Sequence, residues 1–302
     1  MVTDQLVIVR GGGDIATGTV WALRRAGFPV LILESDHPSA IRRSVALSEA
    51  VYEGSASVED LTVSLAENLD QAQYLLFQDQ IAIMADPEGH AIRGILETGG
   101  KYSEWDTGLT TLAGGGRHLF LTAVVDAILA KKNIGTTKDM APFVIALGPG
   151  FTAGEDCDVV IETMRGHTLA RPYEEGCALQ NTGVPGLIGG HAEDRVIHSP
   201  ADGVLHALVD IGDLAEEGQT ICVIGEKDGK DTCKVRAPFT GLVRGLIRDG
   251  FHVTEGFKIA DIDPRQSERE NCFTISDKAR AIGGAVVQEL VGFAARQAVD
   301  ER

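Results

Sequence analysis

Residues 6–34 read LVIVRGGGDIATGTVWALRRAGFPVLILE, and this stretch decides the fold of the first part of the chain. The apolar run Leu6–Val9 is typical of a buried parallel strand, and three glycines follow it after Arg10. Residues 15–26 repeat apolar side chains at helical spacing, and Val30–Leu33 is a second apolar run. Strand, glycine turn, helix and strand in succession predict a right-handed βαβ unit.

The turn between the first strand and the helix fits the pattern G-x-G-x-x-A of dinucleotide-binding proteins. The predicted cofactor-binding residues are Gly11, Gly12, Gly13, Asp14, Ile15, Ala16 and Glu34. Glycine at the first and third positions permits a tight turn and lets a pyrophosphate approach the helix N-terminus. Glu34 is placed to accept hydrogen bonds from a ribose 2′-hydroxyl. The expected cofactor is NAD or another adenine or pterin nucleotide, and the alternative is a turn that binds nothing.

A repeat with an offset of 38 residues organises the later part of the chain. The matching pairs are Pro200 with Pro238, Gly203 with Gly241, Gly212 with Gly250, Gly218 with Gly256 and Ile224 with Ile262. A duplicated β unit explains the offset, because each copy needs glycine at the same turns and buries its apolar face against the other copy. We therefore predict an all-β domain like a biotinyl/lipoyl carrier, a barrel-sandwich hybrid. Lys230 lies near the carrier-lysine position, but its neighbours match neither motif, so no biotin or lipoate is expected.

These patterns predict an α/β fold class with four parts. They are a Rossmann-like nucleotide-binding domain over 1–140, a connecting β/loop segment over 141–197, the barrel-sandwich hybrid over 198–264, and a C-terminal helix within 265–302 that docks on the main body. Glu97–Arg117 lacks periodicity and is interpreted as an irregular loop or insertion.

The composition excludes several classes of partner. The chain has 27 basic and 44 acidic residues, a net charge of −17, and that field repels nucleic acid and anionic membranes. No apolar run is long enough to span a bilayer, and the N-terminus lacks the features of a signal peptide, so a cytoplasmic location is predicted. The cysteines form no C-x-x-C pair and the histidines show no metal-binding spacing, so neither a disulfide framework nor a metal site is expected. The cysteines, whose roles the sequence leaves open, are Cys157, Cys177, Cys222, Cys233 and Cys272.

Two further motifs have a structural and a binding interpretation. Gly148–Gly154 follows a predicted strand, but Glu155 and Asp156 come next, which favours a structural turn over an anion nest. Asp261 and Asp263 could bind a cation, but solvated acids and a pairing with Arg265 are favoured.

Four long segments resemble the YqeB family, whose members are accessory factors associated with selenium-dependent molybdenum hydroxylases. They are Val9–Glu34, Ala141–His167, Asn181–Gly203 and Ile275–Gly284, with a shorter match at residues 126–133. The family is also loosely similar to maturation factors of xanthine and carbon monoxide dehydrogenases. The chain departs from the family pattern at residues 97–121, and the resemblance implies no catalytic residue.

The resemblance implies an accessory or maturation factor for a selenium-dependent molybdenum hydroxylase. Such a factor would bind a nucleotide or nucleotide-bearing cofactor and dock on the hydroxylase or its maturation machinery. Two alternatives stay open: an NAD-dependent oxidoreductase, for which no acid–base pair can be named, and a non-catalytic docking scaffold. Whether the chain catalyses a reaction, and whether it forms a homo-oligomer, is also left open.

Overall fold

The computed structural model describes residues 4–99, 104–105, 119–181, 183, 189–225 and 233–300. The predicted carrier-type hairpin tip around Lys230 and most of the segment Glu97–Arg117 lie outside these residues. The chain forms two compact units. Unit 1 comprises Met1–Pro38, Leu47–Asn181 and Ile275–Arg302, and unit 2 comprises Ser39–Ala46 and Thr182–Thr274.

Unit 1 is built on one ten-stranded sheet. Its strands are β1 (Gln5–Arg10), β2 (Val30–Glu34), β3 (Ser55–Val58), β4 (Leu61–Leu65), β5 (Ile81–Ala85), β6 (Glu104–Trp105), β7 (Leu119–Asp126), β8 (Phe143–Leu147), β9 (Val159–Ile161) and β10 (Pro172–Tyr173). The order is β10-β9-β8-β7-β1-β2-β5-β4-β3, with β6 paired to β7. The strands from β9 to β4 in this order are parallel, while β3, β6 and β10 pair antiparallel to their neighbours.

Helices cover both faces of this sheet. The helices are α1 (Asp14–Arg25), α2 (Ala50–Glu53), α3 (Leu69–Phe77), α4 (His90–Gly99) and α5 (Asp277–Asp300). Val144 of β8 shares a buried cluster with Leu76 of α3 and Ile92 of α4. Phe143, which points to the other face because side chains alternate along a strand, stacks on Phe293 of α5 with the ring centroids 4.7 Å apart. So α3 and α4 lie on one face, and α5, with α1 packed against it, lies on the other.

Glycines let α1 and α5 approach closely. A Cβ added to Gly18 would lie 2.5 Å from the Ala279 Cβ, and one added to Gly283 would collide with the Gly18 carbonyl oxygen and lie 3.0 Å from the Ala22 Cβ. Residues further along α5 therefore contact residues further along α1. The two helices run parallel, with their N-termini at the same end of unit 1.

Unit 2 contains two four-stranded antiparallel sheets, in the orders β11-β18-β16-β13 and β15-β14-β12-β17. The strands are β11 (Val196–His198), β12 (Gly203–Ala207), β13 (Leu214–Ala215), β14 (Thr220–Ile224), β15 (Cys233–Arg236), β16 (Gly241–Leu246), β17 (His252–Val253) and β18 (Lys258–Asp263). Strands β12, β13 and β14 begin 38 residues before β16, β17 and β18, which confirms the predicted repeat. Each sheet takes strands from both copies, so neither copy buries its apolar face alone.

The predicted fold class is wrong, although its local elements are confirmed. The βαβ unit exists, because β1 and β2 pair in parallel after α1. However, the sheet extends on both sides of β1 into a ten-stranded mixed sheet with antiparallel edges, so unit 1 is not the predicted Rossmann-like domain. Unit 2 contains two separate four-stranded sheets and also includes Ser39–Ala46 from early in the chain, so it is not the predicted biotinyl/lipoyl-like hybrid. The predicted four-part domain division stays a prediction.

The structure also bears on membrane crossing. Within the described residues, no helix combines the length and the apolar composition that crossing a bilayer requires.

The cysteines differ sharply in exposure, which predicts selective labelling. Cys157, Cys222 and Cys272 are buried, whereas Cys177 is exposed. Burial raises the pKa of both Cys157 and Cys222 to about 12, and the thiolate is the reactive form. We expect iodoacetamide at pH 8 to modify Cys177 first and to leave the buried thiols unmodified until the protein unfolds.

Peptide mass spectrometry over a time course measures this order, and urea-unfolded protein is the control in which all five cysteines react at similar rates. Modification of Cys157 as fast as Cys177 in the folded protein would contradict the burial of Cys157.

Candidate functional site

The predicted glycine turn lies where the order of the strands reverses. Strand β1 sits between β2 and β7, and the chain passes from β1 to β2 on one side and from β7 to β8 on the other. Loops that leave neighbouring parallel strands in opposite directions open a crevice at their carboxyl ends, and ligands of open α/β sheets bind there. The turn Gly11–Gly13 follows the carboxyl end of β1.

Two of the three glycines are required by packing. Gly11 has φ +98°, and its Cβ would lie 2.9 Å from the Ala127 carbonyl oxygen. A Cβ on Gly12 would lie 2.9 Å from the backbone nitrogen of Ser48, which donates a hydrogen bond to the Gly12 carbonyl. A side chain at either position would therefore collide with the neighbouring backbone.

Gly13 differs from its neighbours. It is the N-cap of α1 with φ −66°, a value that any residue adopts. Among the described residues, nothing lies within 4 Å of where its Cβ would be, and no side chain caps the helix. The first-turn N–H groups of a helix have no partner within the helix, so this end presents donors and a partial positive charge.

Glu34, which was predicted to accept hydrogen bonds from a ribose 2′-hydroxyl, is hydrogen-bonded to the turn itself. Its Oε2 accepts a hydrogen bond of 2.7 Å from the Gly12 N–H, and its Oε1 accepts one of 2.7 Å from the Ser35 N–H. The Gly12 N–H is therefore taken by protein. Each carboxylate oxygen has two acceptor positions, so Glu34 can still accept from a ligand hydroxyl.

The remaining predicted residues lie in the first turn of α1. Asp14 is partly buried at its start, while Ile15 and Ala16 are buried in the helix packing. The structure thus brings all seven predicted residues together, but only Gly13 and Asp14 lie at the open helix end.

Lys278 is a residue that the sequence analysis missed. It lies in the first turn of α5, half-buried, and partial burial lowers its pKa, while the carboxylates of Asp14 and Glu162 act in the opposite direction. Because α1 and α5 run parallel, this places a cation and a second helix N-terminus near the first. The only sequence signal was the matching segment Ile275–Gly284, which did not connect residue 278 with residue 14.

The surroundings of Lys278 are fixed by hydrogen bonds. Glu162, fully buried, accepts bonds of 2.7 Å from the Met164 N–H and 2.8 Å from the Leu179 N–H. Arg165 donates two bonds to the Asp277 carboxylate at 2.7 and 2.9 Å, which holds the pKa of Asp277 well below its ordinary value.

The lesser motifs have structural roles. In the turn Gly148–Gly154, a Cβ on Gly150 would lie 2.5 Å from the Lys132 Cα, and Asp156 accepts a bond of 2.7 Å from the Thr152 N–H. Both observations agree with a structural turn.

In unit 2, the predicted pairing of Asp263 with Arg265 is confirmed, with bonds of 2.9 and 2.7 Å, while Asp261 pairs with Arg195 at 3.1 Å. The expectation that these acids are solvated is wrong, because Asp261 and Asp263 are 7% and 2% exposed. In the described parts of the chain, no group of three or more His, Cys, Asp or Glu side chains is arranged to hold a metal ion.

Fold and site define a mixed α/β protein with a candidate anion-binding helix end. The chain is 46% identical over 287 residues, 95% of its length, to the protein named "Uncharacterized protein YqeB" of Escherichia coli (strain K12). The chain is therefore a homologue of YqeB, which supports the resemblance found in its sequence segments. It covers 47% of that protein, so it spans about half the length of the curated relative it matches. No family model matches the chain.

Solved structures resemble the chain only weakly. The ectoine utilization protein EutE (DoeB) from Ruegeria pomeroyi, with product bound, is 10% identical, with 85% of this chain and 84% of that chain covered and a TM-score of 0.25. A succinylglutamate desuccinylase from Silicibacter sp. TM1040 is 12% identical with the same coverage and a TM-score of 0.25. Likeness at this level carries no argument about the function of this chain.

Proposed function

We propose that unit 1 binds the phosphate of a nucleotide or nucleotide-bearing cofactor at the N-terminus of α1. The observation that carries this proposal is the uncapped helix end at Gly13, which has open space around it among the described residues. Backbone N–H groups and the helix dipole favour an anion at such an end. Its position at the reversal of strand order supports the same assignment.

The contacts in the turn support one position for the proposed ligand. The Gly12 N–H is held by Glu34, so the phosphate binds at the first turn of α1 and not at Gly12. Lys278 supplies a positive charge on the same side, as the start of α5 lies beside the start of α1. Glu34 accepts a ribose hydroxyl with its remaining acceptor positions, and its charge disfavours a 2′-phosphate. NAD, AMP and pterin nucleotides meet these conditions.

The biological role in this proposal is that of an accessory or maturation factor for a selenium-dependent molybdenum hydroxylase. The YqeB resemblance supports that role. The proposed nucleotide site is compatible with it, because such a factor would hold a nucleotide-bearing cofactor while docked on the hydroxylase. Affinity purification of the tagged chain from cells that express a molybdenum hydroxylase tests the role. Recovery of the hydroxylase supports it, and a chain that elutes alone and monodisperse counts against it.

Gly13→Val is expected to weaken nucleotide binding by about 10- to 100-fold, the equivalent of one or two charge-assisted hydrogen bonds. The valine side chain occupies the space in front of the helix end, and the φ of −66° accommodates it without strain. A thermal-shift screen with NAD, AMP, CTP and molybdopterin nucleotides identifies the ligand, and calorimetric titration of the strongest measures the loss.

Gly284→Val is the matched control, since Gly284 also has nothing within 4 Å of its Cβ among the described residues but lies in α5 beyond the first turn. Undiminished affinity in the Gly13→Val protein would show that the nucleotide does not bind at this helix end. A screen in which no nucleotide shifts the melting temperature would favour a docking scaffold instead.

A further inference from the structure

A cavity of about 320 Å³ lies in unit 1 on the sheet face opposite to α1. Arg10 of β1 and Ile92 of α4 line it together with residues of the loop before β8. Arg10 alternates with Val9 along β1 and therefore shares the face of Ile8, which packs in the same cluster as Ile92. The cavity is thus separate from the helix end at Gly13.

One of the residues that line this cavity is a buried cation. Arg10 is 2% exposed. Its guanidinium donates hydrogen bonds to the Thr136 hydroxyl and, at 3.0 Å, to the Pro87 carbonyl, and its Nη1 lies 3.8 Å from the Asp126 carboxylate. A guanidinium carries five N–H donors, and acceptors in the described residues take two of them. Donor capacity therefore remains for a ligand.

The walls are apolar and the rim is mixed in charge. Leu96 and Met140 are half-buried, and Ile134 is 46% exposed at the mouth. The exposed rim carries the charges of Glu88, Arg93 and Asp139, which solvent screens. The buried cation and the apolar walls therefore decide which ligand fits.

We propose that this cavity binds a small organic monocarboxylate. Its carboxylate accepts hydrogen bonds from Arg10 in the planar geometry that guanidinium groups favour, and its apolar body packs between Ile92, Leu96 and Met140. The volume lies at the lower end of the range of about 300–1,000 Å³ for ligand cavities, which limits the body to one ring or a short chain. The buried carboxylate of Asp126, 3.8 Å from the Nη1 of Arg10, repels the second charge of a phosphate monoester.

Titration with benzoate tests this proposal, with benzamide as the neutral analogue and phenyl phosphate as the dianion. Saturation-transfer NMR and calorimetry measure the binding of each probe to the wild-type chain. Ile134→Trp is expected to block the mouth of the cavity. Val291→Trp is the matched control, because Val291 is 50% exposed on α5 and does not line the cavity. Melting temperatures verify that both variants remain folded.

The expected result is that benzoate binds the wild-type and Val291→Trp proteins and binds the Ile134→Trp protein at least about ten-fold more weakly. Benzamide and phenyl phosphate are expected to bind the wild-type chain at least about ten-fold more weakly than benzoate. Three results would each overturn the proposal: no benzoate binding at millimolar concentration, benzoate binding unchanged in the Ile134→Trp protein, or equal binding of benzamide.

Discussion

Arg10→Met is expected to lower the free energy of unfolding of unit 1 by about 3–5 kcal/mol, the cost of leaving a buried charge without its partner. Arg10 and Asp126 are 2% and 1% exposed, and the Nη1 of Arg10 lies 3.8 Å from an oxygen of Asp126. The Thr136 hydroxyl, which accepts from Arg10, donates to Asp126 at 2.6 Å. Methionine keeps the length and the packing of the aliphatic part of the arginine side chain, but it leaves Asp126 without a cation.

The pH dependence of this loss follows from Asp126. Burial raises its pKa above the ordinary value of 3.8, while Thr136, Ile128 and Arg10 act in the opposite direction, so removing Arg10 raises it further. A carboxyl with a raised pKa binds its proton more tightly in the folded state, and its stability contribution is lost as the pH rises above 3.8. The loss in Arg10→Met should therefore be larger at pH 8 than at pH 5.

Urea unfolding at both pH values measures this effect, and the double variant Arg10→Met with Asp126→Asn is the control. Removing the unpaired charge should recover part of the stability and abolish the added pH dependence. A loss below about 1 kcal/mol, or an equal loss at pH 5 and pH 8, would show that the pair does not hold the carboxyl ends of β1 and β7 together.

Gly283→Ala and Gly284→Ala, adjacent in α5, are expected to change stability in opposite directions. The new methyl group at position 283 collides with the Gly18 carbonyl of α1, and overpacking of this kind costs about 1–3 kcal/mol. At position 284 the methyl group meets nothing within 4 Å in the described structure, and replacing glycine by alanine within a helix stabilises by about 0.5–1 kcal/mol.

Thermal unfolding separates the two variants, because about 1 kcal/mol corresponds to roughly 2–4 °C for a unit of this size. The Gly283→Ala protein should melt below the wild type and the Gly284→Ala protein above it. Equal melting temperatures for the two variants would mean that α1 and α5 do not cross at Gly18 and Gly283.

Local structure could be predicted from the sequence, but the pairing of distant segments could not. The helix after Gly13 and the strands on either side of it follow from periodicity and glycine placement, and the 38-residue offset of the repeat matches the strand starts. The prediction of the fold class was wrong because long-range contacts determine which strands pair. Ser39–Ala46 illustrates this, since Arg43 within it donates a bond of 2.8 Å to the Leu246 carbonyl of unit 2.

Only part of the candidate site could likewise be predicted from the sequence. The pattern of glycines located the open end of α1, because only local backbone geometry is needed there. The position of Glu34 was also predictable, but not its bond to Gly12, which arises because neighbouring strands lie about 4.8 Å apart and their ends meet. Lys278 could not be found, since its place beside Asp14 depends on the parallel packing of α1 and α5.

We expect the bare end of the first helix to hold a phosphate group. The most direct measurement is a titration of the ¹⁵N-labelled chain with AMP and, separately, with adenosine, followed by the backbone amide resonances of Gly13, Asp14, Ile15 and Ala16. We predict that AMP produces its largest shifts at these amides and that adenosine leaves them nearly unchanged. Largest shifts elsewhere in the chain, or equal shifts with the two ligands, would contradict the account.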